Sequence, residues 1–299
     1  MTDSLHEPLK VTDPGFVFID KPSGWTSHDV VAKARRTLGT RKIGHAGTLD
    51  PLATGLLILG VNRATRLLGY ISGADKHYES LIQLGVATHS DDADGDVVST
   101  TDASHITRHD VDRVLGAMVG VIEQRPSAVS AIKVDGKRAH ARVRAGEDVE
   151  LPSREVTIHE LDVLEFVPGE QPLVRIAVHC SSGTYIRAIA RDLGSELSVG
   201  GHVRELRRTA ISVHDLSGSQ PLEDFLTAPR LTPIETVARA AFESLDLNTA
   251  EAGEVRFGRP LSDRRFTSSE TGAVFAPDGT FLALYANAAT GIKPVAVFV

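Results

Sequence analysis

The apolar positions of this chain fall into short runs and helical registers separated by glycine- and proline-rich turns. Phe16 to Ile19 is an apolar run closed by Asp20-Lys21-Pro22-Ser23-Gly24, which predicts a strand ending in a turn. Ser27 then fits a helix N-cap, with Val30, Val31, Ala34 and Leu38 on one face and Gly39 as the stop. Leu56 to Leu59 and Tyr78 to Leu84 predict strands. Thr107 and Asp110 fit a capping box, and Val111, Val114, Leu115 and Met118 continue a helix. Val156 to Phe166 and Leu173 to Cys180 predict a pair of strands. Thr184 to Leu197 predicts a helix with Ile186, Ile189, Leu193 and Leu197 in register.

From Asp215 to Pro233 the pattern is irregular and carries Pro221, Pro229 and Pro233, so a domain boundary is expected near residue 230. A helix near Ala250 to Phe257 and strands around Ala273 to Ala276, Phe281 to Tyr285 and Val295 to Val299 follow. Strands and helices mix without a βαβ rhythm. The expected class is therefore α/β in the α+β sense, with a twisted mixed or antiparallel sheet in residues 1–230 and a small β-rich domain in residues 231–299.

Composition adds little to this: 299 residues, 41% hydrophobic and 24% charged, describe an ordinary globular chain. No apolar run is long enough to cross a bilayer. Met1 to Gly15 is polar and lacks the features of a signal peptide, and the single Cys180 excludes an intrachain disulfide. A cytoplasmic location and a monomeric state are expected. Charge changes the picture more. The net value of −7 argues against a nucleic-acid partner, but the charges are segregated. Lys33, Arg35, Arg36, Arg41 and Lys42 stand without an acid between Val31 and Leu49. A basic, Pro- and Gly-broken excursion spans about 125–152, and Arg204, Arg207 and Arg208 cluster later, while Asp91, Asp92, Asp94 and Asp96 concentrate the acid. Each basic cluster alone fits a solvated face equally well.

Several chemistries are excluded. One cysteine cannot supply the paired-cysteine motif of a zinc deaminase. The histidines are scattered without an HExxH, and no phosphate-binding glycine loop is present. Asp91-Asp92-Ala93-Asp94-Gly95-Asp96 lacks the spacing of a calcium loop and suggests a solvated turn. What remains is chemistry by side chains, with neither metal nor cofactor expected.

The most informative segment is Gly44-His45-Ala46-Gly47-Thr48-Leu49-Asp50-Pro51-Leu52-Ala53-Thr54-Gly55. Its glycines allow unusual backbone angles and close approach by a ligand. Asp50 before Pro51 could equally cap a short helical turn, a reading that leaves His45, the glycines and the preceding basic helix unexplained.

This segment resembles, nearly residue for residue, the catalytic signature of the TruB family, the bacterial tRNA pseudouridine-55 synthases. Four further segments resemble the family's motifs in the expected order. They are Asp20-Lys21-Pro22-Ser23-Gly24, Lys76-His77-Tyr78-Glu79, Cys180-Ser181-Ser182-Gly183-Thr184-Tyr185-Ile186-Arg187, and Gly200-Gly201-His202-Val203-Arg204-Glu205-Leu206-Arg207-Arg208. The resemblance covers about the first three-quarters of the chain. The tail resembles a PUA-like module only loosely, around Arg256 to Leu261.

The resemblance implies a pseudouridine synthase catalytic domain with Asp50 as catalytic carboxylate, Arg187 as its partner and Tyr78 stacking on the target base, a candidate for deprotonating C5. It implies substrate contacts from His45, which would fill the space left by an extruded uridine, and from Tyr185 and Leu206. Lys21 would support the active-site loop or contact RNA. The basic excursion would clamp an RNA stem-loop through Arg125, Lys133, Lys137, Arg138, Arg142 and Arg144, continued by Arg204, Arg207 and Arg208. The implied partner is the T-arm of tRNA, and no cofactor is implied. The chain departs from the family at Thr88-His89-Ser90-Asp91-Asp92, where local turn bonding rather than catalysis is expected to change. Rival readings are a tRNA-folding chaperone with an inert cleft, a synthase acting on another RNA, and a uridine N-glycosidase.

Overall fold

The computed structural model describes residues 11–127 and 151–299 and, between them, the backbone of two short paired strands, Lys133–Val134 and Lys137–Arg138. Arg142 and Arg144 lie outside the described residues, as do the side chains of Lys133, Lys137 and Arg138.

The main sheet is built on β1 (Gly15–Lys21), β2 (Ile43–His45), β3 (Thr54–Val61) and β4 (Lys76–Leu84). Past the hairpin of β5 (Val86–Thr88) and β6 (Val97–Thr100), the sheet is completed by β7 (Gly120–Gln124), the pair just described as β8 and β9 standing apart from it, and then β10 (Arg154–Val167), β11 (Leu173–Cys180) and β12 (Gly201–Ile211). Its central order is β1-β3-β12-β4-β11-β10-β7. All neighbours in this path are antiparallel except β3 and β12, which run parallel where Thr54 faces Arg207 and Gly55 faces Arg208. The expected mixed, mainly antiparallel sheet is thus found.

Helices α1 (Ser27–Thr37), α2 (Leu68–Ser72), α3 (Arg108–Gly116) and α4 (Ile186–Glu196) connect these strands. Val30, Val31 and Ala34 of α1, and Val111, Val114 and Leu115 of α3, are buried as their spacing predicts. The capping box of Thr107 and Asp110 is present. At α1 the cap is Thr26, whose hydroxyl accepts from the Asp29 amide, and not Ser27. Ser27 is buried one residue further on. Its Oγ donates to the Leu49 carbonyl (3.2 Å) and accepts from the Leu49 amide (2.8 Å), tying α1 to the loop that carries Asp50.

The basic segment at 201–211 is the strand β12, an element that the alternation of apolar residues does not reveal. Buried Arg208 occupies an inward position where the pattern would require an apolar residue. The helix Ile234–Ala241 is likewise absent from the sequence expectation. It precedes a four-stranded sheet of Ser244–Asp246, Thr271–Phe275, Phe281–Asn287 and Ile292–Val297, with a helix at Thr249–Arg256. Phe16, Phe18, Leu56 and Ile58 of the main sheet share one apolar cluster with Ile234, Val237, Phe275, Phe281 and Phe298. Arg63 and Arg66 donate to the carbonyls of Phe298 and Val297 across the same contact.

Candidate active site

A cleft of about 630 Å³ opens where β4, β12 and the loop after β2 meet the start of α4. Its walls bring together His45, Asp50, Tyr78, Tyr185, Arg187 and Leu206, residues spread over more than half the chain. Asp50 reaches it on the loop between β2 and β3. Gly47, at φ +84°, turns this loop, and Gly55, at φ +98°, lies at the start of β3. At Gly55 the absent side chain also matters for packing, because a Cβ there would overlap the Arg208 backbone.

Arg187, in the first turn of α4, is buried and faces Asp50, its Nε 3.0 Å from Asp50 Oδ2. Its Nη1 lies 3.2 Å from Asp92 Oδ2 and donates to the Ser90 carbonyl at 2.8 Å. A guanidinium held on two sides cannot swing away, so the direction it imposes on Asp50 is set in advance. Burial raises the Asp50 pKa; Arg187 opposes the rise and Asp92 adds to it.

Asp92 is a site residue that the sequence does not reveal. Asp91 and Asp92 are buried, not part of a solvated turn. The turn is stitched to β12 by Val203 N–H to Asp91 O (3.0 Å) and Ala93 N–H to Val203 O (2.9 Å). Ser90 Oγ (2.5 Å) and the Asp94 amide (3.2 Å) both donate to Asp92 Oδ1. Asp91 pairs with Arg191 of α4 at 3.3 Å. The departure at positions 88–92 therefore sits directly behind the Asp50 partner.

Tyr78 is buried with its hydroxyl beside the Arg208 guanidinium, and burial raises its pKa while Arg208 opposes the rise. A phenol so held stays protonated at neutral pH. Arg208, expected among the RNA contacts, is instead an interior residue. It donates to the carbonyls of Leu56 (2.8 Å), Gly47 (3.1 Å) and Thr48 (3.4 Å), so it braces the Asp50 loop from within the cleft wall. Arg207 points to the opposite sheet face and forms a bidentate pair with Asp20 (3.0 and 2.7 Å), while Arg204 and Arg125 are exposed.

Lys21 is fully buried and does not line the cleft. Its ammonium donates to the carbonyls of Trp25 (2.7 Å), Pro22 (2.9 Å) and Pro51 (3.3 Å), the position of a loop support and not of an RNA contact. Burial lowers its pKa to about 8. His45 meets His28 edge-on at 5.5 Å, and its Nδ1 is buried without a hydrogen-bond partner among the described residues. Burial, and then His28, lowers the His45 pKa and favours the neutral ring.

Two further cations line the cleft. Lys76 donates to the carbonyls of Ala74 (2.7 Å) and Ser72 (2.8 Å), and burial lowers its pKa to about 8. Arg154 stacks over Tyr185 at 4.7 Å and donates to the Gly183 carbonyl. Gln124 of β7 fixes the same loop by accepting from the Tyr185 amide (2.8 Å) and donating to its carbonyl (3.1 Å).

Residues 35–186 match the model of the TruB family pseudouridylate synthase N-terminal domain, and residues 242–299 match that of the tRNA pseudouridine synthase II C-terminal domain. The chain belongs to the TruB family of pseudouridylate synthases. It is 49% identical over 294 residues to tRNA pseudouridine synthase B of Arthrobacter sp. (strain FB24), covering 95% of this chain and 96% of that one. It is 47% identical over 291 residues to the protein of the same name from Thermobifida fusca (strain YX), covering 95% and 98%. Among solved structures, a chain of an H/ACA RNP bound to a substrate RNA containing 2′-deoxyuridine aligns with TM-score 0.72 at 22% identity, covering 95% of this chain and 85% of that one. A chain of a Cbf5-Nop10-Gar1 complex aligns with TM-score 0.71 at 24% identity, with the same coverage. At those identities the structures establish a shared fold. No helix among the described residues is long and apolar enough to cross a membrane.

Proposed function

We propose that this TruB-family chain isomerises a uridine of tRNA to pseudouridine, with the T-loop uridine at position 55 as its target and Asp50 as the catalytic carboxylate. The observation that carries this reading is Asp50 held 3.0 Å from the buried Arg187 in a cleft that Tyr78 and Leu206 also line. An acid that merely capped a helix would need neither the cleft nor an arginine fixed from behind.

A uridine stacked in a folded loop must be extruded before it can enter such a cleft. Tyr78 and Leu206 offer it an aromatic and an aliphatic wall, and His45, also on the cleft lining, would occupy the vacated space. The Asp50 carboxylate then attacks, at C1′ of the ribose or at the base. The glycosidic C–N bond breaks, the uracil rotates, a C–C bond forms between C5 and C1′, the bond to Asp50 is released, the C5 proton leaves and N1 takes up a proton. Covalent participation by a carboxylate divides one difficult substitution into easier steps. Exposed Arg125 and Arg204 remain available to phosphate.

Tritium release from tRNA labelled at uridine C5 tests the reading, comparing wild type with Asp50→Asn. Release by wild type alone, with tRNA bound by both, supports it. Binding without release by folded wild type overturns it for this RNA and leaves a binding role or another RNA substrate. Recovery of free uracil would instead indicate glycosidase chemistry.

A further inference from the structure

On the sheet face away from the cleft, the fold gathers histidines that lie far apart in sequence. Lys76 and Tyr78 line the cleft, so His77 between them projects to the other side of β4. It pairs in register with His179 of β11, and the two rings stack at 4.1 Å with planes 9° apart. His159 of β10 approaches His179 from the next strand at 4.7 Å between ring centres. Asp75, just before β4, turns its carboxylate into the same group. Asp75 Oδ2 lies 3.2 Å from His159 Nε2 and 3.9 Å from His179 Nε2.

One ligand atom from each of Asp75, His159 and His179 lies within 4.8 Å of the others. A tetrahedral zinc ion with bonds of 2.0–2.2 Å needs donor-to-donor edges of about 3.4 Å. The two edges at Asp75 already bracket that length, and the remaining adjustment is within reach of a rotation of the half-exposed His159 ring. Two imidazoles and one carboxylate with an open side toward solvent form a donor set for borderline divalent metals, and a poor one for magnesium or calcium.

We propose that Asp75, His159 and His179 bind a divalent transition-metal cation of the zinc class, a site separate from the cleft and independent of the proposed reaction. The ion joins β10 and β11 to the turn before β4. Ser72, the last residue of α2, and Gly73 of that turn form part of the cleft wall, and Lys76 grips them through the carbonyls of Ser72 and Ala74. The Asp75 carbonyl also accepts from the Ser212 amide at 2.9 Å, so the ligand carboxylate sits on an anchored backbone. The role of the ion is to pin this wall against the sheet, and its signature is affinity and stability.

The test uses the full chain, free of any histidine tag, stripped with a chelator and titrated calorimetrically with Zn2+, with Mg2+ as the hard-cation control. One Zn2+ site is expected, with no Mg2+ heat. Metal affinity should fall by more than about tenfold in each of His159→Ala, His179→Ala and Asp75→Asn. His109→Ala, on the exposed face of α3, should bind as wild type does. Zn2+ at ~100 times its Kd should raise the wild-type Tm by roughly 5 °C and leave that of His159→Ala unmoved. His159 is half exposed, so its variant is expected to fold even if His179→Ala, which also loses the His77 stack, does not. Equal Zn2+ affinity in wild type and His159→Ala, or no Zn2+ binding by folded wild type, overturns the proposal.

Discussion

Arg187 Nε stands 3.0 Å from Asp50 Oδ2 while its Nη1 stands 3.2 Å from Asp92, so one guanidinium is shared between the cleft and the buried turn behind it. The planar fork lets a single side chain meet both carboxylates at fixed angles, which a lysine ammonium cannot do. Arg187→Lys is therefore expected to lower kcat by about 100-fold or more, the scale of losing two charge-assisted contacts, with tRNA affinity little changed. Single-turnover rates measured beside filter binding check both parts; an active Arg187→Lys enzyme would show that charge alone suffices.

Asp92 acts on Asp50 in two ways. Its charge helps raise the Asp50 pKa, and its bond to Arg187 keeps the guanidinium in place. Asp92→Asn should reduce the rate by roughly 10- to 100-fold at neutral pH. It should also move the acid limb of the pH profile downward, because a like charge beside Asp50 has been removed. A slower enzyme with an unshifted limb would confine Asp92 to a packing role.

The wild-type profile has a sign of its own. In the proposed reaction Asp50 acts as the carboxylate, and burial raises its pKa against the pull of Arg187. The rate should thus fall as pH drops through a value above that of an ordinary aspartate, and this limb should be absent from substrate binding. Single-turnover kinetics across the acidic range, on protein shown to be folded by circular dichroism, measures it.

Ser27 Oγ satisfies both backbone groups of Leu49, the residue before Asp50. Ser27→Ala strands a buried amide and carbonyl and should cost about 1–3 kcal/mol in urea unfolding. Because the affected residue adjoins Asp50, the proposed catalytic carboxylate, kcat should fall more than KM rises. A loss of stability with unaltered kcat would show that the loop holds its shape through Lys21 and Arg208 alone.

Gly55, at φ +98°, lies where β3 runs against Arg208 of β12. Gly55→Ala adds left-handed strain to a collision with backbone, which cannot step aside. A destabilisation beyond about 3 kcal/mol, or loss of folded protein, is expected from denaturation or yield.

The sequence alone determined those elements whose cause is local. The capping box of Thr107 and Asp110, the alternation of Leu173 to Cys180 and the glycines around Asp50 carry their structural instructions within a few residues, and each is found. The similarity of residues 44–55 to a known signature likewise singled out Asp50. Tertiary structure decided what each charge does. Arg204, Arg207 and Arg208 form one basic cluster in sequence. In the fold, one is exposed, one is paired with Asp20, and one is buried against the carbonyls of the Asp50 loop. Asp92 resembles its solvated neighbours until β12 stitches its turn beneath Arg187, and the scattered histidines become neighbours only when β4, β10 and β11 align. A charged side chain is stable in water or beside a partner, and its partner here comes from a strand or helix far along the chain. No local pattern encodes that choice, because the energy that decides it exists only once the sheet has formed.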